Sequence, residues 1–318
     1  MWRLPSRLVS RLPRLVPPLE FPCRIDRLPE GCAELDNDLY RDPATATSSH
    51  ADDRTRQLAT LQLLNSARIP YFDRVWTQQL RLSPERAGSF LEVGCGGGVA
   101  SCALAALGYN MTGVDPAEAS LDAARAHARR LGLSHSTLFA TGSAYDLSSF
   151  PADSFDGVLM ADVLEHLYDL PAAVDQVWRV LRPGGVLVFD TVNRTYASYL
   201  LAIVVAQELA GAVPPRTHDW RMFVKPHELS FLLQSRGFLV DSSQFRGMAP
   251  TLAPSPAALV AQLRKLRTLD FEFPGLPLSD YVEVPSLEVQ YLGWAAKGNS
   301  RAAAPDDLAR GLRAFERS

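Results

Sequence analysis

Leu91-Glu92-Val93-Gly94-Cys95-Gly96-Gly97-Gly98 decides how this chain is read. A short apolar strand, Phe90 to Val93, runs into it, the backbone turns on glycines, and a helical stretch follows. Glycine has no Cβ, so it takes left-handed backbone freely and lets a ligand lie against the main chain. The next apolar run, Asn110 to Val114, ends on Asp115. An acid at that point accepts hydrogen bonds from both hydroxyls of a ribose. Dinucleotide sites also combine glycines with a downstream acid, but their third glycine comes one residue later.

Outward from the loop, short apolar runs alternate with helical stretches. Ala100 to Leu107 and Ala117 to Leu131 read as helices, and Ser136 to Ala140 as a third strand. Phe155 to Met160 is a buried strand, Leu170 to Leu181 a helix, and Val186 to Thr191 a fifth strand after the turn Arg182-Pro183-Gly184-Gly185. This order predicts a parallel sheet covered by helices on both faces. Upstream, Leu58, Leu61, Leu64, Ile69, Phe72 and Trp76 recur at helical steps, with Pro70 expected to kink or restart the helix. Downstream the rhythm breaks. Tyr199 to Leu209 is strongly apolar, Pro226 to Gly237 reads as a helix, and Leu239 to Phe245 and Leu287 to Ala295 as strands. Residues 249–285 form a proline-dotted insert around a basic helix, Pro256 to Leu269.

Composition narrows the function classes. The 318 residues carry a net charge of −3, without the basic excess of a general nucleic-acid binder. The four cysteines, Cys23, Cys32, Cys95 and Cys102, have no CxxC spacing, which suits a reducing compartment. No apolar run is long enough to predict a membrane span. Residues 1–19 contain Arg3, Arg7, Arg11 and Arg14 and no acid before Glu20. They read either as an arginine-rich targeting segment or as a disordered tail; Pro5, Pro13, Pro17 and Pro18 spoil a long amphipathic helix.

Two further constellations carry chemistry. Met160-Ala161-Asp162-Val163-Leu164-Glu165-His166 follows the fourth strand, at the carboxyl end of the sheet where ligands sit. If Asp162 opens a helix, Asp162, Glu165 and His166 share one face and suit a divalent cation. The alternative is a helix cap by Asp162 and a structural His166. The second is Asn193-Arg194-Thr195, then Thr217-His218-Asp219-Trp220 and Phe223-Val224-Lys225-Pro226, flanking the apolar stretch. That stretch suits a lid over an apolar substrate, a packed helix or a membrane-resting face.

The Gly94-x-Gly96-x-Gly98 spacing, with Glu92 two residues upstream, resembles the S-adenosylmethionine motif of class I methyltransferases. With Val163-Leu164-Glu165-His166, Arg182-Pro-Gly-Gly185, Asn193-Arg-Thr195, Ser198-Tyr-Leu-Leu-Ala-Ile203, Thr217-His-Asp-Trp220 and Phe223-Val-Lys-Pro226, the chain resembles the ubiquinone-biosynthesis O-methyltransferases, bacterial and mitochondrial. The likeness covers roughly residues 60–250 and the last strand. It implies a Rossmann-like class I fold with a mostly parallel seven-stranded sheet. It implies methyl transfer to a catechol hydroxyl of a polyprenylated quinone precursor. It implies donor contacts from Arg68, Glu92, Gly94, Gly96, Gly98, Asp115 and Met160. In mitochondrial members a Glu-x-x-Glu-His motif holds a divalent ion, Mg2+ or another. The matching positions here are Asp162, Glu165 and His166, with the first ligand one methylene shorter.

The organisation expected is a targeting or disordered segment (1–50), a methyltransferase domain (51–298, with a lid at 193–225 and the 249–285 insert) and a tail (299–318). The mechanism expected is in-line displacement at the sulfonium methyl by a phenolate, with alignment as the enzyme's main work. Either a cation lowers the catechol pKa, or His166 or His218 acts as base. Expected partners are the polyprenylated catechol, the membrane surface through residues 199–209 and the basic helix, and a quinone-biosynthesis complex, with no nucleic acid. The expected location is the matrix side of the mitochondrial inner membrane, or a bacterial cytoplasm. The rival readings are a methyltransferase of the same fold acting on another small phenol, and a non-catalytic subunit of a biosynthetic complex.

Overall fold

The computed structural model describes residues 50–82, 88–209, 217–251 and 279–298. Strands β1 (Phe90–Val93), β2 (Met111–Asp115), β3 (Thr137–Thr141), β4 (Phe155–Ala161) and β5 (Leu181–Val192) pair in parallel in the order β3-β2-β1-β4-β5. The sheet continues from β5 through three antiparallel strands: β9 (Gln290–Lys297), β7 (Arg246–Thr251) and β8 (Ser279–Val284). The two-residue β6 (Phe238–Leu239) pairs with the far end of β9. The described residues thus hold nine strands where seven were expected; β6, β7 and β8 stand in place of the single run that the sequence marks, Leu239 to Phe245.

Helices α1 (His50–Gln79), α2 (Val99–Ala106), α3 (Glu118–Arg130), α4 (Leu170–Val180) and α5 (Pro226–Ser235) cover both faces. One core joins the α4 and α5 side to β4 and β5 through Val174, Val177, Leu187, Phe189 and Leu233. The other joins α1 and α2 to the opposite face through Phe72, Trp76, Phe90, Tyr109 and Leu292. Strand order reverses between β1 and β4, since β2 and β3 lie to one side and β5 to the other. The carboxyl ends of β1 and β4 therefore form the crevice where such sheets bind ligands.

Helix α1 runs through Pro70 without stopping. A proline inside a helix costs roughly 3 kcal/mol. Beyond it Phe72 and Trp76 are fully buried, at roughly 1.5–3 kcal/mol for each large apolar side chain. Packing on the far side outweighs the lost hydrogen bond. The Trp76 indole stacks among Phe90 and Tyr109, at 4.7 and 5.3 Å between ring centroids, and donates to the Val186 carbonyl at 3.2 Å. Gly157 makes room for this cluster: a Cβ there would lie 2.7 Å from Phe90 and 2.8 Å from Trp76.

One strand falls elsewhere than the sequence suggests. Leu239 to Phe245 is not a strand. After β6 the Asp241 carboxylate accepts the Ser243 N–H at 2.9 Å and caps a turn, Ser242–Gln244, and pairing resumes only at Arg246. The Tyr199–Leu209 stretch is a π-helical segment with a mixed surface, neither wholly buried nor wholly exposed. Tyr199, Ile203 and Gln207 face inward while Leu200 and Leu201 are about half exposed. Among the described residues no helix is long and apolar enough to cross a membrane. Residues 1–49, the stretch 256–269 expected to be a basic helix, Pro214-Pro215 and the tail after residue 298 lie outside the described residues.

Candidate active site

The glycine loop folds as its composition dictates. Gly94, Gly96 and Gly98 all have positive φ, at 75°, 47° and 69°. Their surroundings separate their tasks. A Cβ on Gly94 would strike Val163 at 2.5 Å, and one on Gly98 would strike Ala124 and Phe139 at 2.9 Å. Gly94 thus lets the loop close on the turn after β4, and Gly98 lets α2 pack against α3 and β3. Gly96 meets nothing within 4 Å. Its bare backbone faces open space, as a ligand cradle requires.

Asp115 ends β2 beside this loop. One oxygen accepts the Gly96 N–H at 2.9 Å and the other the Ala117 N–H at 2.9 Å. Burial raises its pKa, and these two hydrogen bonds oppose the rise. Each oxygen keeps a further lone pair for a hydroxyl donor. Glu92 is buried beneath the loop, where Ser101 donates to it. Burial pushes its carboxyl up to about 7. Met160, one residue before the end of β4, has its side chain wholly in the core.

Arg68 reaches the site from α1 and is itself buried. Its Nε donates to Asn65 Oδ1 at 2.6 Å, Nη1 to Asp162 Oδ2 at 2.5 Å and Nη2 to the Leu61 carbonyl at 3.3 Å. Asp190, near the end of β5, lies 3.8 Å from the same guanidinium. Arg68 is therefore held by protein carboxylates. Asp162 takes a left-handed φ of 51° and does not open a helix; only one short turn, Leu164–His166, follows.

The turn after β4 gathers a different group from the sequence-predicted one. A carboxylate oxygen of Glu165 and one nitrogen each of His166 and His218 lie within 4.8 Å of one another. The two imidazoles stack, with centroids 5.2 Å apart and planes 20° from parallel. Thr191 donates to Glu165 Oε2 at 2.7 Å, while Glu165 Oε1 and His218 Nδ1 are buried with no hydrogen-bond partner. Burial, then the charge of Asp162, pushes the Glu165 carboxyl up. Burial lowers His218 to about 4, against the weaker pull of Asp162, so its imidazole is uncharged near neutral pH.

The remaining motif residues fasten the segment carrying His218. Asn193 Nδ2 donates to the Leu287 carbonyl at 2.8 Å, and Arg194 forms a buried ion pair with Glu228 of α5. Thr195 caps the following helical turn, and the Trp220 indole donates to the Thr195 carbonyl at 2.8 Å. Val192, Tyr199, Ile203, Trp220 and Phe223 form a small core of their own. Asp190 and Thr191 were not singled out from sequence. The signal was there: two polar residues close the otherwise apolar run Val186 to Phe189.

A depression of about 390 Å³ opens elsewhere, at the amino ends of the strands, between Asn110, His135, Pro151 and Phe155. None of the residues above lines it.

Comparison with known proteins shows the chain's family. Residues 91–189 match the model of a methyltransferase domain family. A ubiquinone biosynthesis O-methyltransferase from Methylobacterium nodulans is 36% identical over 193 residues, 59% of this chain and 76% of that protein. The mitochondrial ubiquinone biosynthesis O-methyltransferase of Rattus norvegicus is 32% identical over 60% of this chain and 56% of its own length. Among solved structures, the MccD protein shares the fold with a TM-score of 0.51 at 16% identity, over 73% of this chain and 99% of that one. The chain belongs to the ubiquinone biosynthesis O-methyltransferase family and is an S-adenosylmethionine-dependent methyltransferase with a Rossmann-like class I fold.

Proposed function

We propose that this protein moves the methyl group of S-adenosylmethionine to one hydroxyl of a catechol on a polyprenylated quinone precursor. The observation that carries the proposal is a juxtaposition. The open glycine backbone at Gly96 and the ribose-ready Asp115 stand at the same end of the sheet as Glu165, His166 and His218. Val163, packed on Gly94, joins the two halves directly. Gly94, Gly96 and Gly98 shape the cradle, Asp115 takes the ribose hydroxyls, and the main chain near Met160 lies beside the donor. Glu92 and Arg68 act from behind this surface by holding the loop and the acidic turn in place. We assign the methyltransferase domain to residues 51–298, with the lid over 193–225.

In the reaction, a catechol oxygen forms a bond to the methyl carbon as the carbon–sulfur bond breaks. S-Adenosylhomocysteine leaves, and the phenolic proton goes to a base or to solvent. Alignment of oxygen, carbon and sulfur is the protein's main contribution. Glu165 and His166 hold a divalent cation in this reading. Such a cation, when bound, would draw in the catechol oxygens and lower their pKa. His218 is a weak choice of base, because an imidazole that protonates only near pH 4 accepts a proton poorly at neutrality. A methyl-transfer assay on a catechol quinol tests the reading. Turnover that falls at least tenfold with a chelator and returns with added cation is expected. Turnover of short soluble catechols with no gain from a prenyl tail would move the substrate to another phenol.

In this reading the protein works at a membrane surface and within a quinone-biosynthesis complex, on the matrix side of the inner mitochondrial membrane or in a bacterial cytoplasm. The exposed Tyr196, Leu200 and Leu201 support surface contact, and Arg3 to Arg14 support import. Import of the full chain by isolated mitochondria, followed by migration well above its 34.9 kDa, is the check. A chain that stays outside and monomeric contradicts the placement.

A further inference from the structure

We propose that His218 is the third protein ligand of the divalent cation, in place of Asp162. Through it the cation latches the Tyr199–Leu209 helix and the Thr217–Phe223 segment onto the turn after β4. The inference rests on the reading of the Glu165–His166 turn as a cation site.

Three observations carry it. First, ligand atoms of Glu165, His166 and His218 already lie within 4.8 Å of one another, the spread of a shared first coordination sphere. Second, Glu165 Oε1 and His218 Nδ1 are both buried and unpartnered. A buried lone pair left unmatched is destabilising, so two at one point call for a shared partner. The other Glu165 oxygen is fixed by the Thr191 hydroxyl, the outer-shell bond that orients a metal-binding carboxylate. Third, Asp162 is committed elsewhere. Its Oδ2 takes the Arg68 guanidinium at 2.5 Å, and its left-handed backbone keeps it off the helical face that the Glu-x-x-Glu-His spacing implies.

The donor set defines the ion. Two imidazoles and one carboxylate, with sites left open, suit zinc, cobalt, manganese or ferrous iron. Magnesium prefers an all-oxygen octahedron and gains little from imidazole.

The placement of His218 defines the consequence. Its backbone N–H donates to Gln207 Oε1 at 2.8 Å, and Gln207 sits on the Tyr199–Leu209 helix. The His218 ring also meets Phe223 edge to face at 5.9 Å, inside the lid's own small core. A cation bound to this ring therefore holds the apolar helix as well as the loop. The lid closes over the acceptor when metal is present and loosens when it is removed.

The test uses the metal-stripped full chain, titrated with Co2+ and followed by its visible d–d absorption. Wild type should bind one ion, and Mg2+ in about 100-fold excess should displace little of it. Both His218→Ala and His218→Gln should weaken Co2+ by at least tenfold, while Asp162→Asn should stay within about threefold. Co2+ should slow amide exchange across Tyr199–Leu209 in wild type and not in the His218 variants. Melting temperature and S-adenosylhomocysteine affinity on the same preparations show that each variant is folded. Absence of Co2+ binding, unchanged affinity in both His218 variants, or selective loss in Asp162→Asn would overturn the assignment. Cation binding as expected without any methylation of a prenylated catechol counts against the proposed function and leaves this site standing.

Discussion

Glu92 shows what a single side chain contributes from beneath the donor loop. Its carboxyl is buried, held by Ser101 and pushed up to about 7. In the unfolded chain it titrates near its ordinary 4.5. Between those values the folded state keeps a proton that the unfolded state has lost. Its contribution is therefore full below pH 4.5 and disappears as pH rises toward 7, a loss of about 3 kcal/mol across the window. Glu92→Gln removes that slope. Denaturant titrations at pH 5 and pH 8 should show wild type losing more stability than the variant over this interval. Equal losses in both would mean that Glu92 ionises freely in the fold. Arg68 illustrates the opposite case, a buried charge neutralised by Asp162 and Asp190. The resemblance implies a donor contact for it, and its three nitrogens each donate one hydrogen bond within the protein, to Asn65, Asp162 and the Leu61 carbonyl.

At the scale of elements, what sequence reveals depends on whether the signal is local. β1, β2, β4 and the helices between them are legible because apolar runs and glycine turns mark both their faces and their ends. β8 was hidden inside the 249–285 insert. Its pairing with β7 is long-range, and no periodicity in one strand announces the other. The Asp241 cap that interrupts Leu239 to Phe245 was legible, since Asp241-Ser242-Ser243-Gln244 is a polar, turn-forming run that breaks the apolar pattern. The site divides the same way. The glycine loop and Asp115 are read from spacing alone, but the meeting of His218 with Glu165 and His166 joins residues some fifty positions apart and needs the fold. The lid helix carries a prediction of its own. Leu200 and Leu201 point outward from a helix whose inner face is already packed. If that face rests on lipid, wild type sediments with anionic liposomes at low salt, and Leu200→Asp/Leu201→Asp loses most of that binding while keeping its melting temperature. A wild type that stays in the supernatant would remove the membrane contact from the account.

At the scale of the whole molecule, the described residues form a parallel sheet, with the proposed site at the carboxyl ends of β1, β2, β4 and β5, extended by the antiparallel strands β9, β7 and β8. In the proposed site Arg68 comes from α1, the glycine loop from between β1 and α2, Asp115 from β2, and Glu165, His166 and His218 from the turn after β4 and the segment before Trp220. No single element holds the site, so the claim that this edge binds S-adenosylmethionine is a claim about how the entire fold is arranged. Calorimetric titration with S-adenosylhomocysteine, on wild type and on Asp115→Ala, tests it most directly. The account predicts one site of micromolar affinity in wild type. It predicts a loss of roughly a hundredfold or more in the variant, since charge-assisted hydrogen bonds contribute roughly 1.5–3 kcal/mol each. No binding by a folded wild type, or equal binding by Asp115→Ala, would contradict it.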